Sequence, residues 1–284
     1  MKNGFFLINK AKNISSQKVI FLIKKKLNLF KAGHTGILDP LAEGLLIVLI
    51  NKATKLAFLF EKLDKTYKGS ALFNQNFDTL DITGKLINKK ENILDFEQIQ
   101  KSSLYFDKKK YLQIPPMYSA IKIKGQKMYH LARKHIHIEI PPREVHIKNL
   151  KIIPPLTNDS INFETKVSKG TYIRSLIRDI ASKMNTYGAL QNLTRTKIGS
   201  YNLQNAQNIE SVTLEHLRDV KELFQKKQKL ILNDYLIKLV KNGITLDERQ
   251  IITRHPFVVL DQKQNWIAYY EPINKNKYSP KYFF

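Results

Sequence analysis

The segment from Gly33 to Leu46 restricts the fold of this chain more than any other part of the sequence. It reads GHTGILDPLAEGLL, so two closely spaced glycines and an Asp-Pro pair precede a third glycine and an apolar run over residues 45–50. Glycine permits positive φ and a close approach of the backbone, and Pro40 disfavours the helical conformation for Asp39. We therefore expect a stiff turn that projects the Asp39 side chain between apolar flanks. By spacing alone, most Asp-Pro pairs are turn formers without a chemical role.

The rest of the chain mixes helical and strand-like patterns without a regular order. Helical spacing covers residues 15–29, 54–63, 95–104, 172–184 and approximately 213–226, and Ser15 or Ser16 is suited to cap the first of these helices. Alternation typical of strands covers residues 67–73, 145–153, 161–167 and 196–203. This mixture predicts an α+β or mixed α/β fold with a mixed sheet.

Two further stretches predict the domain organisation. Residues 114–145 lie between two proline pairs and are rich in basic residues and histidine, which predicts a protruding insertion. Residues 229–284 are weakly patterned and carry the only tryptophan, Trp266. A segment of about 55 residues is marginal as an independent domain. We therefore predict one main domain over residues 1–228, with its insertion at about 114–145, and a short C-terminal segment over 229–284.

The composition favours a polyanionic partner and excludes several classes of protein. The 284 residues include 48 basic and 24 acidic side chains, which gives a formal net charge of +24. A field of this sign attracts nucleic acid, although a generally lysine-rich composition produces the same charge without RNA. The chain has no cysteine, no apolar stretch of membrane-spanning length and no signal-peptide pattern. We therefore expect a cytoplasmic protein without disulfides, thiolate metal sites or membrane association.

Four ordered blocks make the sequence resemble a known family. They are G-H-T-G-I-L-D-P-L-A-E-G at residues 33–44, D-K-T-Y at 64–67, P-M-Y-S-A-I-K at 116–122 and S-K-G-T-Y-I-R-S-L at 168–176. In this order they resemble the signature blocks of the TruB-type tRNA pseudouridine synthases. The resemblance implies the pseudouridine synthase catalytic fold, with a mixed, mostly antiparallel sheet and an insertion that grips RNA.

The resemblance assigns the chemistry to Asp39. As the family's nucleophile, Asp39 would open the glycosidic bond of a uridine so that the base rejoins the ribose through C5. Attack on the sugar C1′ and proton removal to give a glycal both remain open as its first step. Arg174 would pair with Asp39, keeping the carboxylate ionised and fixing its direction. Considered alone, Arg174 is an ordinary arginine on the first turn of a helix.

The resemblance also implies a pocket for an extruded base. Tyr67 would lie against the uracil face, and Tyr172 and Leu193 would complete the pocket wall. The target uridine lies inside the folded T loop, so it must leave the stack before any group can reach its glycosidic bond. His34 would fill the vacated space. Without the family, Tyr67 is more simply a core tyrosine and His34 a solvent-exposed histidine.

The implied partner is the T stem-loop of tRNA, in which the uridine at position 55 would become pseudouridine. No cofactor, metal ion or protein partner is expected, and the protein is expected to act as a monomer. Ala11 and Asn13 replace a Pro and a Gly of the family pattern, and Asn74 and Phe77 replace a Gly and a Thr. Because Asn adopts left-handed turns readily, we expect these loops to survive. Residues 240–243, V-K-N-G, resemble the start of the family's PUA domain, so the C-terminal segment is interpreted as a reduced PUA-like unit.

Other interpretations compete with the synthase. A non-catalytic RNA chaperone that binds tRNA would need the positive charge but not Asp39. A nucleobase glycosylase would also extrude a base but would release it. A guide-dependent synthase subunit usually carries H-S-G where this chain has H-T-G at residues 34–36. His135 and His137 share one face of a predicted strand at a spacing that suits a metal, although a solvated strand facing RNA explains them better.

Overall fold

The computed structural model of the protein describes residues 2–119, 121–123, 125–128, 138–157 and 159–284, so His135 and His137 lie outside the described residues. The described α-helices are α1 (Ser16–Lys26), α2 (Ala57–Glu61), α3 (Phe96–Leu104), α4 (Ile173–Lys183) and α5 (Asp234–Lys241). The described 3-10 helices are Asn51–Leu56, Leu203–Asn205, Leu214–His216 and Val220–Phe224. None of the helices in these ranges has the length and hydrophobicity of a membrane-spanning segment.

The strands outnumber the helices, as expected for an α+β protein. They are β1 (Gly4–Lys10), β2 (Ala32–His34), β3 (Glu43–Ile50), β4 (Lys65–Phe73), β5 (Gln75–Phe77), β6 (Leu86–Lys89), β7 (Lys110–Gln113), β8 (Lys122–Ile123), β9 (Gln126–Lys127), β10 (Arg143–Thr157), β11 (Ser160–Val167), β12 (Gly188–Ile198), β13 (Tyr201–Asn202), β14 (Arg218–Asp219), β15 (Gln228–Ile231), β16 (Leu246–Asp247), β17 (Phe257–Leu260), β18 (Trp266–Asn274) and β19 (Lys277–Phe283).

Ten strands form the main sheet. Their order is β14-β1-β3-β12-β4-β11-β10-β7, with β2 beside β3 and β13 beside β12. The β12–β3 pair is parallel, with Thr194 opposite Glu43, and the other described pairs of this sheet are antiparallel. The predicted class, a mixed and mostly antiparallel sheet in an α+β fold, is therefore confirmed.

Both faces of β3 are buried, which explains the uninterrupted apolar run over residues 45–50. Successive side chains of a strand point to opposite faces of the sheet. The odd-numbered residues of this run pack with Phe5 and Phe60. The even-numbered residues pack with Val19 and Ile23 of α1. A strand covered on both faces needs no polar alternation.

Helix α1 forms where the sequence predicts it, and its N-terminus lies next to the Asp39 segment. The Ser15 side chain accepts a hydrogen bond from the N–H of Lys18, which satisfies one free donor of the first turn. Ser16, the first helical residue, is buried and bonds to the backbone of Leu38. The helix therefore supports the loop that carries Asp39.

The C-terminal segment folds into a second sheet, in the order β15-β17-β18-β19-β16. One face of this sheet packs with Val240 of α5 around the buried Phe257. Side chains of its other face, including Tyr269 and Tyr282, pack with Phe224 in the same core that covers β1 and β3. The segment thus shares a core with the main sheet, although the sequence alone indicated only a weakly patterned tail.

Two predicted elements differ from the structure. The prediction of a helix over residues 213–226 is wrong. Two short 3-10 helices lie in this range, and between them Arg218–Asp219 form β14, which pairs with β1. Backbone pairing at the edge of the main sheet therefore outweighs the helical spacing of the apolar residues. The strand predicted over 196–203 begins earlier, at Gly188, and is followed by a short β13.

The two ends of the insertion lie side by side, because Gln113 pairs with Arg143.

Candidate active site

A cleft of about 900 Å³ lies between the loop after β2, strand β4 and the turn before α4. The opening of the insertion and the start of β10 complete its wall. Each residue that the sequence analysis selected lines this cleft. These residues are His34, Asp39, Tyr67, Tyr172, Arg174 and Leu193. They come from three of the four sequence blocks and from β12, and Tyr118 of the remaining block lines the cleft as well.

Arg174 is the centre of the polar network in the cleft. Its Nη2 lies 2.9 Å from Asp39 Oδ2 and donates to the carbonyl of Tyr118 at 2.9 Å. Its Nη1 donates to the carbonyl of Thr79 at 2.7 Å and lies 3.6 Å from Asp81 Oδ2. The Arg174 side chain is 6% exposed, whereas that of Asp39 is 38% exposed. A buried guanidinium therefore orients a carboxylate that remains accessible from the cleft.

Asp81 is a neighbour of this site that the sequence analysis did not select. Its side chain is 7% exposed. Its Oδ1 accepts hydrogen bonds from the Thr79 hydroxyl at 2.9 Å and from the N–H of Thr83 at 3.0 Å, which leaves Oδ2 facing Arg174. The D-T-L-D run at residues 78–81 was the available signal. The contact between Asp81 and Arg174 could not be predicted from this run, because the two residues are far apart along the chain.

The loop that carries Asp39, residues 35–42, is held from several sides and is called the Asp39 loop below. The Ser16 hydroxyl accepts from the N–H of Leu38 and donates to its carbonyl, both at 2.9 Å. The carbonyl of Pro40 accepts from the N–H of Asn13 at 2.8 Å. Asn13 has a φ of 62°, so asparagine does adopt the left-handed turn where the family pattern has glycine.

Lys10 supports the same loop from behind. It is fully buried, and its Nζ donates to the carbonyls of Ile14 at 2.7 Å and Pro40 at 3.5 Å. Burial lowers the pKa of Lys10 to about 8, although Asp39 opposes the shift. The buried ammonium therefore joins the first loop of the chain to the Asp-Pro turn.

Tyr67 and Leu193 lie on neighbouring strands beneath the cleft. Tyr67 lies on β4 opposite Arg195 of β12, and Leu193 lies opposite Gly69. The two side chains are 8% and 5% exposed. A Cβ on Gly69 would come within 2.4 Å of the Asn192 carbonyl, so glycine permits this close approach of the strands.

Tyr172 is fixed by the side chain of Gln113, at the base of the insertion. Gln113 Oε1 accepts from the N–H of Tyr172 at 2.8 Å, and its Nε2 donates to the Tyr172 carbonyl at 3.2 Å. Burial raises the pKa of the Tyr172 phenol, so the phenol stays protonated at neutral pH. Since Arg174 follows two residues later, this contact also fixes the start of α4.

His34 lies in the wall of the cleft and is half-buried. Burial lowers the pKa of His34, and the nearby charge of Arg195 lowers it further. Its Nδ1 is buried and has no hydrogen-bond partner among the described residues. The lowered pKa favours the neutral imidazole, whose flat ring is suited to stacking against an incoming ligand.

No group of three His, Asp or Glu side chains within the described ranges is arranged to hold a metal ion. The polar groups that line the cleft include the Asp39 carboxylate, the Arg174 guanidinium, the His34 imidazole and the phenols of three tyrosines, Tyr67, Tyr118 and Tyr172. The basic side chains Lys65, Arg143 and Lys169 also line the cleft. Such a cleft favours an anionic substrate with a flat apolar part.

Comparisons with known proteins identify the family to which the chain belongs. A family profile described as TruB family pseudouridylate synthase (N terminal domain) matches residues 24–173. The protein called tRNA pseudouridine synthase B from Onion yellows phytoplasma (strain OY-M) is 57% identical over 282 residues, covering 99% of this chain and 100% of that protein. The protein of the same name from Acholeplasma laidlawii (strain PG-8A) is 48% identical over 283 residues, covering 99% and 100%.

A solved structure shares the fold at much lower sequence identity. A crystal structure of a Cbf5-Nop10-Gar1 complex contains a chain that superposes with a TM-score of 0.69 at 19% identity, covering 96% of this chain and 79% of that one. The profile match includes the Asp39 loop, and the sequence matches extend over nearly the whole chain. The chain therefore belongs to the TruB family of pseudouridylate synthases.

Proposed function

We propose that this protein converts uridine to pseudouridine in the T loop of tRNA, at position 55, with Asp39 as its reactive group. The observation that carries the proposal is the pairing of the accessible Asp39 carboxylate with the buried guanidinium of Arg174 at 2.9 Å. An accessible, oriented carboxylate in a cleft is what glycosidic-bond chemistry requires. The names of the curated relatives support tRNA as the substrate.

The reaction needs no co-reactant. The bond between N1 and C1′ breaks, the base turns, a bond between C5 and C1′ forms, and the proton on C5 leaves while N1 gains one. Asp39 either adds to C1′ or removes a sugar proton to give a glycal, and both routes use the same carboxylate. Because the product is an isomer of the substrate, neither an oxidant nor a cofactor is consumed.

The walls of the cleft suit a detached base. Tyr67 would lie against the uracil, and Leu193 and Tyr172 would confine it without fixing its rotation. Extruding the uridine costs a few kcal/mol of stacking and pairing. His34 would offset part of this cost by occupying the space that the base leaves, and its lowered pKa favours the neutral ring.

The rest of the chain would hold the RNA. With a net charge of +24, binding should weaken steeply as salt rises, since each neutralised phosphate releases counterions. We assign the C-terminal sheet as a reduced PUA-like unit that extends the RNA surface, because residues 240–243 resemble the start of the family's PUA domain and the segment forms a five-stranded sheet of its own. We expect the protein to act in the cytoplasm as a monomer, without a protein partner.

The test uses an unmodified T stem-loop RNA with tritium at C5 of its uridines. The protein should release tritium and form pseudouridine, and Asp39→Asn should reduce the rate by at least about three orders of magnitude while binding persists. Asp107→Asn is the matched control, because that carboxylate accepts the N–H of Leu150 outside the cleft. Binding without tritium release by the wild type would indicate an RNA chaperone, and free uracil would indicate a glycosylase. Near-normal turnover by Asp39→Asn contradicts the assignment.

A further inference from the structure

Arg195 is a buried cation whose environment differs from that of Arg174. It lies on β12, is 2% exposed and belongs to the wall of the cleft. The ion pairs formed among the described residues do not include it. A buried charge without a counter-charge is costly, so its polar contacts must account for its position.

Those contacts join the two ends of the Asp39 loop. Arg195 Nε donates to the carbonyl of Leu45 at 2.8 Å. Its Nη1 donates to the carbonyl of Ile37 at 3.3 Å, and its Nη2 to that of Gly36 at 3.4 Å. The first carbonyl belongs to β3, and the other two belong to the segment that leads into Asp39. One planar group therefore links the beginning of the loop to the strand that follows it.

The backbone at this point is also closely packed. Arg195 lies opposite Gly44 in the parallel ladder between β12 and β3. Gly44 has a φ of 104°, and a Cβ there would lie 2.5 Å from the Arg195 carbonyl. Glycine is therefore required where β12 approaches the exit of the Asp39 loop. The side chain of Arg195 contacts Gly36, Ile37 and Leu45, and its backbone packs against Gly44, so both hold the two ends of the Asp39 loop.

We propose that Arg195 is a positioning residue for the reaction, which holds the Asp39 loop closed at both ends so that the carboxylate meets Arg174 and the substrate in one geometry. This role rests on the proposed function of Asp39. Lysine is not equivalent to arginine here, because the guanidinium reaches three carbonyls from three separate nitrogen atoms in one plane, whereas all donors of an ammonium share one nitrogen. A displacement of the loop by about 1 Å would cost on the order of a hundredfold in rate.

The charge of Arg195 acts on the cleft as well. It lowers the pKa of His34 and that of Lys65, in each case after burial as the larger cause. Removing this charge should therefore raise the pKa of His34, and replacing arginine by lysine should leave that pKa nearly unchanged. The His34 pKa can be measured from its ring signal in a proton NMR titration. A mere loss of packing would not distinguish the lysine variant from an uncharged one in this way.

The experiment compares Arg195→Lys and Arg195→Gln with Phe224→Leu, a core substitution outside the cleft that destabilises the fold. For Arg195→Lys we expect a decrease in kcat of at least about tenfold with the RNA dissociation constant within about threefold of the wild type. Amide hydrogen exchange over residues 36–45 should accelerate in both Arg195 variants and stay unchanged in Phe224→Leu. The His34 pKa should rise in Arg195→Gln alone.

Several outcomes would overturn the proposal. One is wild-type kcat in a folded Arg195→Lys, and another is a loss no larger than that of Phe224→Leu at equal stability. If neither Arg195 variant folds, the wild type decides through the side-chain Nε–H of Arg195, which donates to the Leu45 carbonyl. The proposal then requires this proton to exchange with solvent as slowly as the slowest amides of residues 36–45, and fast exchange of the Arg195 Nε–H beside slow loop amides would overturn it. A pseudouridine product in the wild type separates these results from a failure of the proposed function.

Discussion

The cleft and the C-terminal sheet are both well buried, but different kinds of side chain fill them. Behind the cleft lie the charged residues Lys10, Arg174 and Arg195, and each of them donates to backbone carbonyls of loops. The C-terminal sheet is filled by tyrosines and phenylalanines instead. Tyr269 and Phe224, for example, have ring centroids 4.6 Å apart. The region behind the cleft therefore contains buried charged side chains, whereas the C-terminal sheet buries mainly apolar surface.

This difference indicates what each region contributes. Buried charges cost free energy that apolar side chains of the same volume would not, so their presence behind the Asp39 loop is explained by positioning and not by stability. Aromatic rings bury large areas and add favourable edge-to-face contacts. The C-terminal sheet should accordingly stabilise β1 and β3, the two strands next to the Asp39 loop, without taking part in the chemistry.

Substitutions of Tyr67 should cause the largest change in activity among the variants that compare the cleft with the C-terminal sheet. Tyr67→Phe should keep RNA binding but slow product formation by at least about a hundredfold, if the phenol shapes the route of the proton leaving C5. Tyr67→Leu should be slower still, because the flat face is lost as well. Single-turnover assays with C5-tritiated RNA measure both rates. Tyr201→Phe is the control, since Tyr201 packs with Phe5 away from the cleft. Equal activity in all these proteins would make Tyr67 a core residue only.

Substitutions in the core of the C-terminal sheet should lower stability and leave the rate of the reaction nearly unchanged. Tyr269 is fully buried, and its hydroxyl donates to Glu271 at 3.0 Å. Tyr269→Ala should lower the free energy of unfolding by about 3–5 kcal/mol, while kcat at a temperature where the variant is folded stays within about twofold of the wild type. Urea unfolding and the tritium assay measure the two quantities.

The control for this second prediction is Tyr235→Ala. Tyr235 belongs to the same segment and is 69% exposed, so its removal should change the free energy of unfolding by less than about 0.5 kcal/mol. A tenfold loss of kcat in folded Tyr269→Ala would contradict the division of labour between the two regions. It would indicate that the C-terminal sheet also fixes the geometry of the cleft.

The sequence predicted the cleft better than its surroundings. Asp39, Tyr67 and Arg174 belong to short contiguous blocks in which the chemistry restricts the side chains. Asp81 and Arg195 act through contacts with residues far away along the chain, and no local spacing reports such contacts. Their positions became apparent only from the pairing of β12 with β3 and from the burial of their side chains.

The C-terminal segment was underestimated for a related reason. Its strands carry register shifts, for example between Val259 and Leu260 and between Tyr269 and Tyr270. A shift in register breaks the strict alternation on which strand prediction depends. Its apolar residues also face two different cores, so their pattern resembles neither a helix nor a half-buried strand. The helix predicted over residues 213–226 failed because pairing with β1 is non-local.

Lys10 gives the smallest expected effect and tests whether the charge behind the loop costs stability. Its pKa is lowered from 10.5 to about 8. Between these values the folded state binds fewer protons at Lys10 than the unfolded state, so its stability rises with pH, by at most about 1.4 kcal/mol per pH unit. Below pH 8 the cost is present in full and does not change with pH.

The measurement compares the wild type with Lys10→Met, which keeps the length of the side chain and removes its charge. The free energy of unfolding of the wild type relative to the variant should stay constant from pH 6 to 7 and rise from about pH 8 to pH 10. Lys65, whose pKa is also lowered to about 8, is present in both proteins and cancels in the difference. Lys25→Met, on the exposed face of α1, should give a difference that is flat over the same range. A flat difference for Lys10→Met as well would mean that the carbonyls around Lys10 fully compensate its burial, and the contrast between a costly cleft and a stabilising C-terminal core would then not extend to this residue.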